Sequence, residues 1–271
     1  MSRVAVVGLG LIGGSIALGC RARGFDADAG VRERARRRGL DVADDLAAAV
    51  EGAELVVLAV PTASIPALLE ETVALAPGAV LTDAASLKRP VVEAAARLPP
   101  AARFVGGHPM AGGRAPGIEG AHAQLFRERP WAVVRTARSD DAAVAAVAAL
   151  ARSLGASPIE IEADRHDRAM TWVSHLPLAV SAALALAAER GGGADAAALA
   201  GPGLRDATRL AGQPEALTLE LALADPAALA RSLDGVAKDL SDVADALRAG
   251  DADALRTRLA AARRFRRSLD G

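Results

Sequence analysis

The first 160 residues alternate short runs of consecutive apolar residues with segments in which apolar positions recur at helical spacing. Continuous apolar runs are typical of parallel strands that are covered by helices on both faces. The predicted strands are residues 4–7, 55–60, 79–82, 104–107, 131–134 and 158–161. The predicted helices begin at Ser15 or cover residues 33–39, 45–50, 66–75, 88–98 and 140–154. The pattern predicts an α/β fold with a doubly wound, mainly parallel sheet of the Rossmann type.

The second strand of such a sheet is the weak element in this pattern. It should follow the first helix closely, but residues 24–31 contain no convincing apolar run. The sequence therefore predicts that this strand is very short or missing.

From Asp164 onward the strand pattern stops, and one helical segment follows another. The predicted helix breaks are residues 191–193, 201–203, 213–214, 225–226 and Gly250. We therefore predict two domains, an α/β domain over 1–160 and an all-helical domain over 161–271.

Residues 169–188 carry no charge over about the length of a membrane span. The segment also contains Ser174, His175, Pro177 and Ser181, which a lipid-exposed helix would rarely combine. We predict a buried helix at a subunit interface and no membrane association.

A Gly-x-Gly-x-x-Gly turn, formed by Gly8, Gly10 and Gly13, joins the first strand to the first helix. Gly8 permits a sharp turn, Gly10 lets the backbone approach a pyrophosphate, and Gly13 lets the helix pack closely on the strand. The remaining residues assigned to this cofactor site are Leu11, Ile12, Val60 and Pro61. A turn with a purely structural role is the alternative.

An acidic residue at the end of the second strand binds the adenosine ribose in NAD-dependent proteins of this fold. Asp26 is the first candidate and Asp28 the second, although Asp26 follows the glycine turn sooner than usual. A solvated loop acid is the alternative for both. The expected cofactor is NAD, with NADP less favoured.

Charge and composition narrow the classes of function. The net charge of −1 gives no general reason to expect nucleic-acid binding, and the single cysteine, Cys20, excludes an intrachain disulfide. Four histidines without clustered acids or thiols make a metal site improbable, and no role is assigned to His122 or His166. Because Met1 leads almost directly into a strand, we expect no signal peptide and a cytoplasmic location.

The segment His108–Gly113 is predicted to be a loop after the apolar run 104–107, and its glycines and proline suggest a special backbone. Five motifs together resemble the prephenate and arogenate dehydrogenases of tyrosine biosynthesis. They are residues 8–15 (Gly-Leu-Gly-Leu-Ile-Gly-Gly-Ser), 83–88 (Asp-Ala-Ala-Ser-Leu-Lys), 107–112 (Gly-His-Pro-Met-Ala-Gly), 174–177 (Ser-His-Leu-Pro) and 203–209 (Gly-Leu-Arg-Asp-Ala-Thr-Arg). The second strand is shorter than is usual in that family, and Leu178 stands where many relatives have a second histidine.

The resemblance implies an oxidative decarboxylation of prephenate or arogenate. His108 would accept the proton of the substrate hydroxyl, and Ser86 would hydrogen-bond that hydroxyl or the histidine. Arg209 would bind a substrate carboxylate, Asp206 would orient Arg209 from the same helical face, and His175 would contact the substrate. Without the resemblance, Ser86 could cap the next helix, Arg209 and Asp206 could form a surface pair, and His175 could be a core histidine.

The resemblance also implies a homodimer formed through the helical domain. Two other functions remain open from the residues themselves. A β-hydroxyacid dehydrogenase shares the general layout, but it typically needs a catalytic lysine that is absent between Lys88 and Lys238. A nucleotide-binding protein without turnover would be consistent with the weak second strand.

Overall fold

The computed structural model describes residues 3–113 and 115–269, which fall into two compact units that meet between Asp167 and Arg168. The first unit contains the whole sheet. Its strands are β1 (Val4–Val7), β2 (Arg23–Phe25), β3 (Leu55–Leu58), β4 (Val80–Asp83), β5 (Arg103–Pro109), β6 (Pro130–Val134) and β7 (Ser157–Glu160). Its helices are α1 (Leu11–Cys20), α2 (Ala29–Arg37), α3 (Leu46–Val50), α4 (Ile65–Leu75), α5 (Arg89–Ala96) and α6 (Asp141–Ser153).

The seven strands form one sheet in the order β2-β1-β3-β4-β5-β6-β7. Strands β1 to β5 are parallel to their neighbours, β6 is antiparallel to β5, and β7 is parallel to β6. The chain order reverses between β1 and β3, so the carboxyl ends of these strands form the topological switch point where such folds bind ligands. The predicted doubly wound α/β fold is confirmed.

Two hydrophobic cores cover the two faces of the sheet. One joins Val6, Val57 and Val105 of the strands to side chains of α1 and α6, and the other joins Val56 and Phe104 to α3, α4 and α5. Because both faces are buried there, β1 and β3 consist of continuous apolar runs instead of alternating ones.

Strand β2 exists but is only three residues long, which decides between the two possibilities that the sequence left open. It pairs in parallel with β1, with Val7 opposite Phe25. Short as it is, it delivers Asp26 to the carboxyl edge of the sheet, beside the glycine turn.

The second unit is helical. Its elements begin in α7 (Ala163–Met170), which runs across the division between the units, and continue through a π-helical turn, Thr171–His175, and α8 (Leu176–Ala198). They end with α9 (Pro202–Ala207), a 3₁₀ turn at Arg209–Gly212, α10 (Glu215–Ala222), α11 (Pro226–Ala249) and α12 (Ala252–Ser268). The predicted breaks coincide with these boundaries, except that Gly193 kinks α8 without ending it.

The contacts divide the chain after Asp167, whereas the sequence places the domain boundary at residue 160. The reason lies in the first turns of α7, because His166 and Asp167 hydrogen-bond to His108 and to the start of α5. These two residues therefore belong structurally with the sheet.

Candidate active site

The glycine turn has the geometry that a dinucleotide site requires. Gly8 has a φ of +92°, and a methyl group there would lie 2.4 Å from the Ala59 carbonyl oxygen. Any other residue would therefore be strained both by its backbone conformation and by this contact. A methyl group on Gly13 would lie 1.9 Å from the Gly8 carbonyl oxygen, which explains how closely α1 packs on the turn.

Gly10 differs from these two glycines because nothing lies within 4 Å of the position that its Cβ would take. It is the N-cap of α1, and no side chain caps that helix start. The first turn of α1 also contains no acidic residue, so its N–H groups and its dipole favour an anion. The open space at Gly10 fits a pyrophosphate group, which is the role that the sequence predicts.

Asp26 lies directly after β2, and its Oδ2 accepts a hydrogen bond of 2.8 Å from the Leu9 N–H. Its Oδ1 accepts a bond of 2.9 Å from the Asp28 N–H. Asp28 itself is the N-cap of α2 and accepts bonds from Gly30 and Val31. The structure thus gives Asp28 a capping role and leaves Asp26 as the acid beside the glycine turn.

The other predicted cofactor residues lie on the same edge. Val60 and Pro61 follow β3, the neighbour of β1, and Val60 Cγ1 would lie 2.8 Å from a methyl group on Gly8. Leu11 and Ile12 form the half-buried first turn of α1. These residues would hold an NAD(P) molecule along the carboxyl edge of the sheet.

His108 is not a loop residue, contrary to the prediction. It lies in β5, which continues to Pro109 because it pairs with β6, where His108 is opposite Ala132. The strand fixes the backbone on both sides of the histidine, and the side chain is 9% exposed. Since β5 is parallel to β4, His108 lies at the carboxyl edge that also carries the glycine turn.

A buried ion pair holds the residue before His108. Lys88 and Asp83 have fully buried side chains, and the ammonium group of Lys88 donates to the Asp83 carboxylate and, over 2.7 Å, to the Gly107 carbonyl oxygen. Asp83 Oδ1 accepts a bond of 3.0 Å from the Gly107 N–H. Complete burial lowers the pKa of Lys88, although the Asp83 carboxylate opposes that change. The pair therefore fixes both polar groups of Gly107.

His108 is the first member of a hydrogen-bonded chain of three side chains. Its Nδ1 lies 2.9 Å from His166 Nε2, and His166 Nδ1 lies 2.7 Å from Asp167 Oδ1. His166 is 1% exposed, and the two imidazole rings meet edge to face. No sequence pattern indicates this contact, because His166 is 58 residues from His108 and only the fold brings them together.

Asp167 also anchors the start of α5. Its Oδ1 accepts from the Lys88 N–H over 3.0 Å, and its Oδ2 accepts from the Arg89 N–H over 2.9 Å. Burial alone would raise the pKa of Asp167, but the hydrogen bonds from His166, Arg89 and Lys88 lower it below its ordinary value. Ser86 does not cap this helix, so that alternative is wrong, and its predicted catalytic role stays a prediction.

The second unit carries the residues predicted to bind substrate. His175 is 4% exposed and ends the π-helical turn, in which the Leu176 N–H bonds to the Thr171 carbonyl. Pro177 follows and has no N–H to continue the regular ladder. Such π turns often occur at functional sites.

Arg209 opens the 3₁₀ turn that packs against α8, and the Ala211 N–H donates to Ser181 Oγ over 3.1 Å. This bond ties the turn that contains Arg209 to the helix that follows His175. Asp206 was expected on the same helical face as Arg209, but α9 ends at Ala207. Arg209 therefore does not share a regular helix with Asp206, and the role of Asp206 in orienting Arg209 stays a prediction.

Residues 3–113 and 115–269 contain no group of three or more histidine, cysteine, aspartate or glutamate side chains that could hold a metal ion. One helical run, Ala163–Ala198, is long and apolar enough to cross a membrane, and 33% of its most apolar window is buried within the chain. A core helix or an interface helix has the same length and composition.

Comparison with known proteins decides the family. The model of the prephenate dehydrogenase nucleotide-binding domain matches residues 18–160, and that of the prephenate dehydrogenase dimerization domain matches residues 162–261. The chain belongs to the prephenate dehydrogenase family. Residues 8–13 precede the matched range, so their assignment depends on the geometry of the turn.

Curated relatives agree with this membership. Prephenate dehydrogenase of Lactococcus lactis is 29% identical over all of this chain and 78% of its own length. Prephenate dehydrogenase of Bacillus subtilis is 33% identical over 67% of this chain and 52% of its own length. Cyclohexadienyl dehydrogenase of Zymomonas mobilis is 29% identical over 93% of this chain and 90% of its own length.

Solved structures agree as well. Arogenate dehydrogenase of Synechocystis is 30% identical with a TM-score of 0.80, over 98% of this chain and 99% of that one. Prephenate dehydrogenase of Aquifex aeolicus, solved with hydroxyphenyl propionate and NAD⁺, has a TM-score of 0.86 over 99% of this chain and 98% of that one. At 24% identity the latter likeness shows the fold. This family member is an NAD(P)-dependent oxidoreductase.

Proposed function

We propose that this family member is a prephenate dehydrogenase that converts prephenate and NAD to 4-hydroxyphenylpyruvate, CO₂ and NADH in tyrosine biosynthesis. The observation that carries the proposal is the position of His108, which is buried in a paired strand at the sheet edge that bears the glycine turn. Two curated relatives with the name prephenate dehydrogenase support this substrate.

The residues have separate tasks in this reaction. NAD held at the glycine turn would supply the acceptor for the hydride from the substrate carbon that bears the hydroxyl. His108 takes the hydroxyl proton, because an imidazole accepts protons near neutral pH. The ring carboxylate leaves as CO₂, and formation of the aromatic ring drives the step.

Arg209 binds a carboxylate of the substrate through its planar guanidinium group, and His175 contacts the substrate from the end of the π-helical turn. Ser86 follows β4 and hydrogen-bonds the substrate hydroxyl or His108. Asp206, which is exposed on α9, orients Arg209 from the preceding helix.

NAD is favoured over NADP by Asp26. Its carboxylate is fixed beside the glycine turn, where it would accept hydrogen bonds from a ribose and repel a 2′-phosphate. Arg32 is a cation close to Asp26 in the fold. Its guanidinium group donates to the backbone carbonyls of Asp26 and Ala27 and lies over the Phe25 ring.

Arogenate is the second candidate substrate, because the arogenate dehydrogenase of Synechocystis is similar over nearly the whole chain. The two substrates differ at the side chain, where arogenate has an amino group and prephenate has a keto group. The prephenate dehydrogenase models match both parts of the chain, which argues against the β-hydroxyacid dehydrogenase alternative.

The deciding experiment measures absorbance of the reduced nicotinamide with prephenate or arogenate and with NAD or NADP, in all four pairings. We expect the highest kcat/KM for prephenate with NAD. His108→Ala should lower kcat by roughly 10²–10⁴ and leave the Kd for NAD nearly unchanged. His122→Ala, at an exposed position in the same unit, is the matched control and should keep full activity.

If a folded sample forms no reduced nicotinamide in any of the four pairings, the proposed function is refuted. NAD binding without turnover would then indicate a nucleotide-binding protein. Highest activity with arogenate would replace prephenate as the substrate. An unchanged kcat in His108→Ala would remove this histidine from the mechanism.

We also propose a cytoplasmic homodimer that forms through the second unit. The family model for that unit is described as a dimerization domain, and its helices expose large apolar side chains. These include Leu184, Leu186, Leu219, Leu223, Leu240, Leu247, Leu259 and Phe265. Light scattering coupled to gel filtration should give twice the chain mass of 27.4 kDa, and a monomeric mass would contradict the dimer.

A further inference from the structure

We propose that His166, held by Asp167, is a positioning residue that fixes the tautomer of His108 and stabilises its protonated form. This inference rests on the proposed function for its effect on turnover. The tautomer itself can be tested without any substrate.

Both carboxylate oxygens of Asp167 accept hydrogen bonds from backbone N–H groups. Oδ1 accepts from the Lys88 N–H and Oδ2 from the Arg89 N–H, at the start of α5. An ionised carboxylate only accepts hydrogen bonds, so His166 Nδ1 must be the donor in the 2.7 Å contact with Asp167 Oδ1.

A neutral imidazole has one N–H and one bare nitrogen. With its proton on Nδ1, His166 presents a bare Nε2 to His108. In the 2.9 Å contact between the rings, His108 Nδ1 is therefore the donor. His108 then has its proton on Nδ1, and its Nε2 is the basic nitrogen.

This assignment matters because a general base needs its lone pair on the nitrogen that meets the substrate. When His108 Nε2 takes the hydroxyl proton, the ring becomes positively charged, and its Nδ1–H still points at His166 Nε2. The Asp167 carboxylate stabilises that charge through the His166 ring. A carboxylate that orients a catalytic imidazole has the same effect in serine proteases.

Other charged groups in this part of the fold come from β4, from the start of α5 and from α7. The Asp83–Lys88 ion pair, from β4 and from the residue before α5, holds the Gly107 backbone next to His108. Arg89 and Asp164 form an ion pair of 3.6 Å at the exposed end of α7. Because the Asp83–Lys88 pair is internally neutral, Asp167 supplies the negative charge that acts on the two histidines.

The test uses two substitutions at His166. His166→Leu removes the acceptor for His108 Nδ1–H, whereas His166→Gln can place an amide oxygen near the position of Nε2. We expect His166→Leu to lower kcat by roughly 10- to 100-fold with little change in the Kd for NAD. His166→Gln should recover most of that loss.

The pH profile separates this role from a merely structural one. Loss of the acceptor and of its link to Asp167 destabilises protonated His108, so the acidic limb of kcat/KM should move to lower pH in His166→Leu. Asp167→Asn should move it in the same direction. Asp164→Asn removes the same charge from the same helix at an exposed site, and it should leave the limb in place.

Nitrogen-15 NMR of the histidine rings reports the tautomer without an activity assay. It can be measured on the wild-type protein, so it does not depend on whether a variant folds. Wild-type His108 should show a protonated Nδ1 and a bare Nε2, the tautomer that is less populated in free histidine. His166→Gln should keep this tautomer, and a folded His166→Leu should lose it.

The inference is overturned if wild-type His108 has its proton on Nε2. It is also overturned if His166→Leu keeps both its kcat and its acidic limb, or if His166→Gln is as impaired as His166→Leu. Wild-type inactivity with every substrate and cofactor would refute the proposed function alone, because the NMR result would still decide the tautomer.

Discussion

Replacement of Lys88 by methionine tests the buried ion pair behind His108. Both partners are fully buried, and the substitution removes one donor to Asp83 and one to the Gly107 carbonyl oxygen while it nearly preserves side-chain volume. Breaking one half of a buried pair costs about 3–5 kcal/mol, since the remaining charge has no compensation. At roughly 2–4 °C per kcal/mol for a unit of this size, Tm should fall by roughly 10 °C.

The two tryptophans allow this loss to be measured in the first unit alone. Trp131 is fully buried in β6, and Trp172 is 62% exposed in the second unit. In a Trp172→Phe background, fluorescence of Trp131 during urea unfolding reports the unit that contains the ion pair. We expect the midpoint to decrease at an unchanged slope, which indicates a change in stability.

The chain supplies its own control, because Lys238 is the only other lysine. It forms an exposed pair with Asp242, so Lys238→Met should change stability by no more than about 1 kcal/mol. The double variant Lys88→Met with Asp83→Asn should be more stable than Lys88→Met alone, since it removes the uncompensated charge. The reasoning fails if Lys88→Met is no more destabilising than Lys238→Met, or if the two changes at the pair simply add.

Three other predictions concern binding and pH. Arg209→Ala should mainly raise the KM for prephenate by roughly 10- to 100-fold, because a charge-assisted contact is worth about 1.5–3 kcal/mol. Steady-state kinetics measure this effect, and an unaltered KM would show that Arg209 does not bind the carboxylate. Asp26→Ala should weaken NAD relative to NADP in calorimetric titrations, and equal effects on both would point to another residue. Asp167 has a lowered pKa in the folded protein, so its stabilisation is complete above its unfolded pKa and is lost as the pH falls through the folded value. The stability gap between wild type and Asp167→Asn in urea should therefore shrink from pH 6 to pH 3, while a constant gap would contradict the assigned sign.

The sequence by itself determined the parts of this protein that depend on local chain properties. Apolar runs of strand length and helical spacing predicted the order of elements, because both depend on residues near one another in the chain. The glycine turn was predictable for the same reason, since the φ of Gly8 and the packing of Gly13 are properties of one short segment. The sequence left open whether β2 is short or missing, because no convincing apolar run lies near Asp26.

The tertiary structure decided what surrounds His108. His108 became a strand residue only because β6 pairs with it, and its partner His166 comes from a helix far along the chain. Lys88 was read as the start of a helix, yet burial and Asp83 made it part of the support for Gly107. These contacts depend on side chains that meet after the sheet has formed, and no periodicity in the sequence encodes such a meeting.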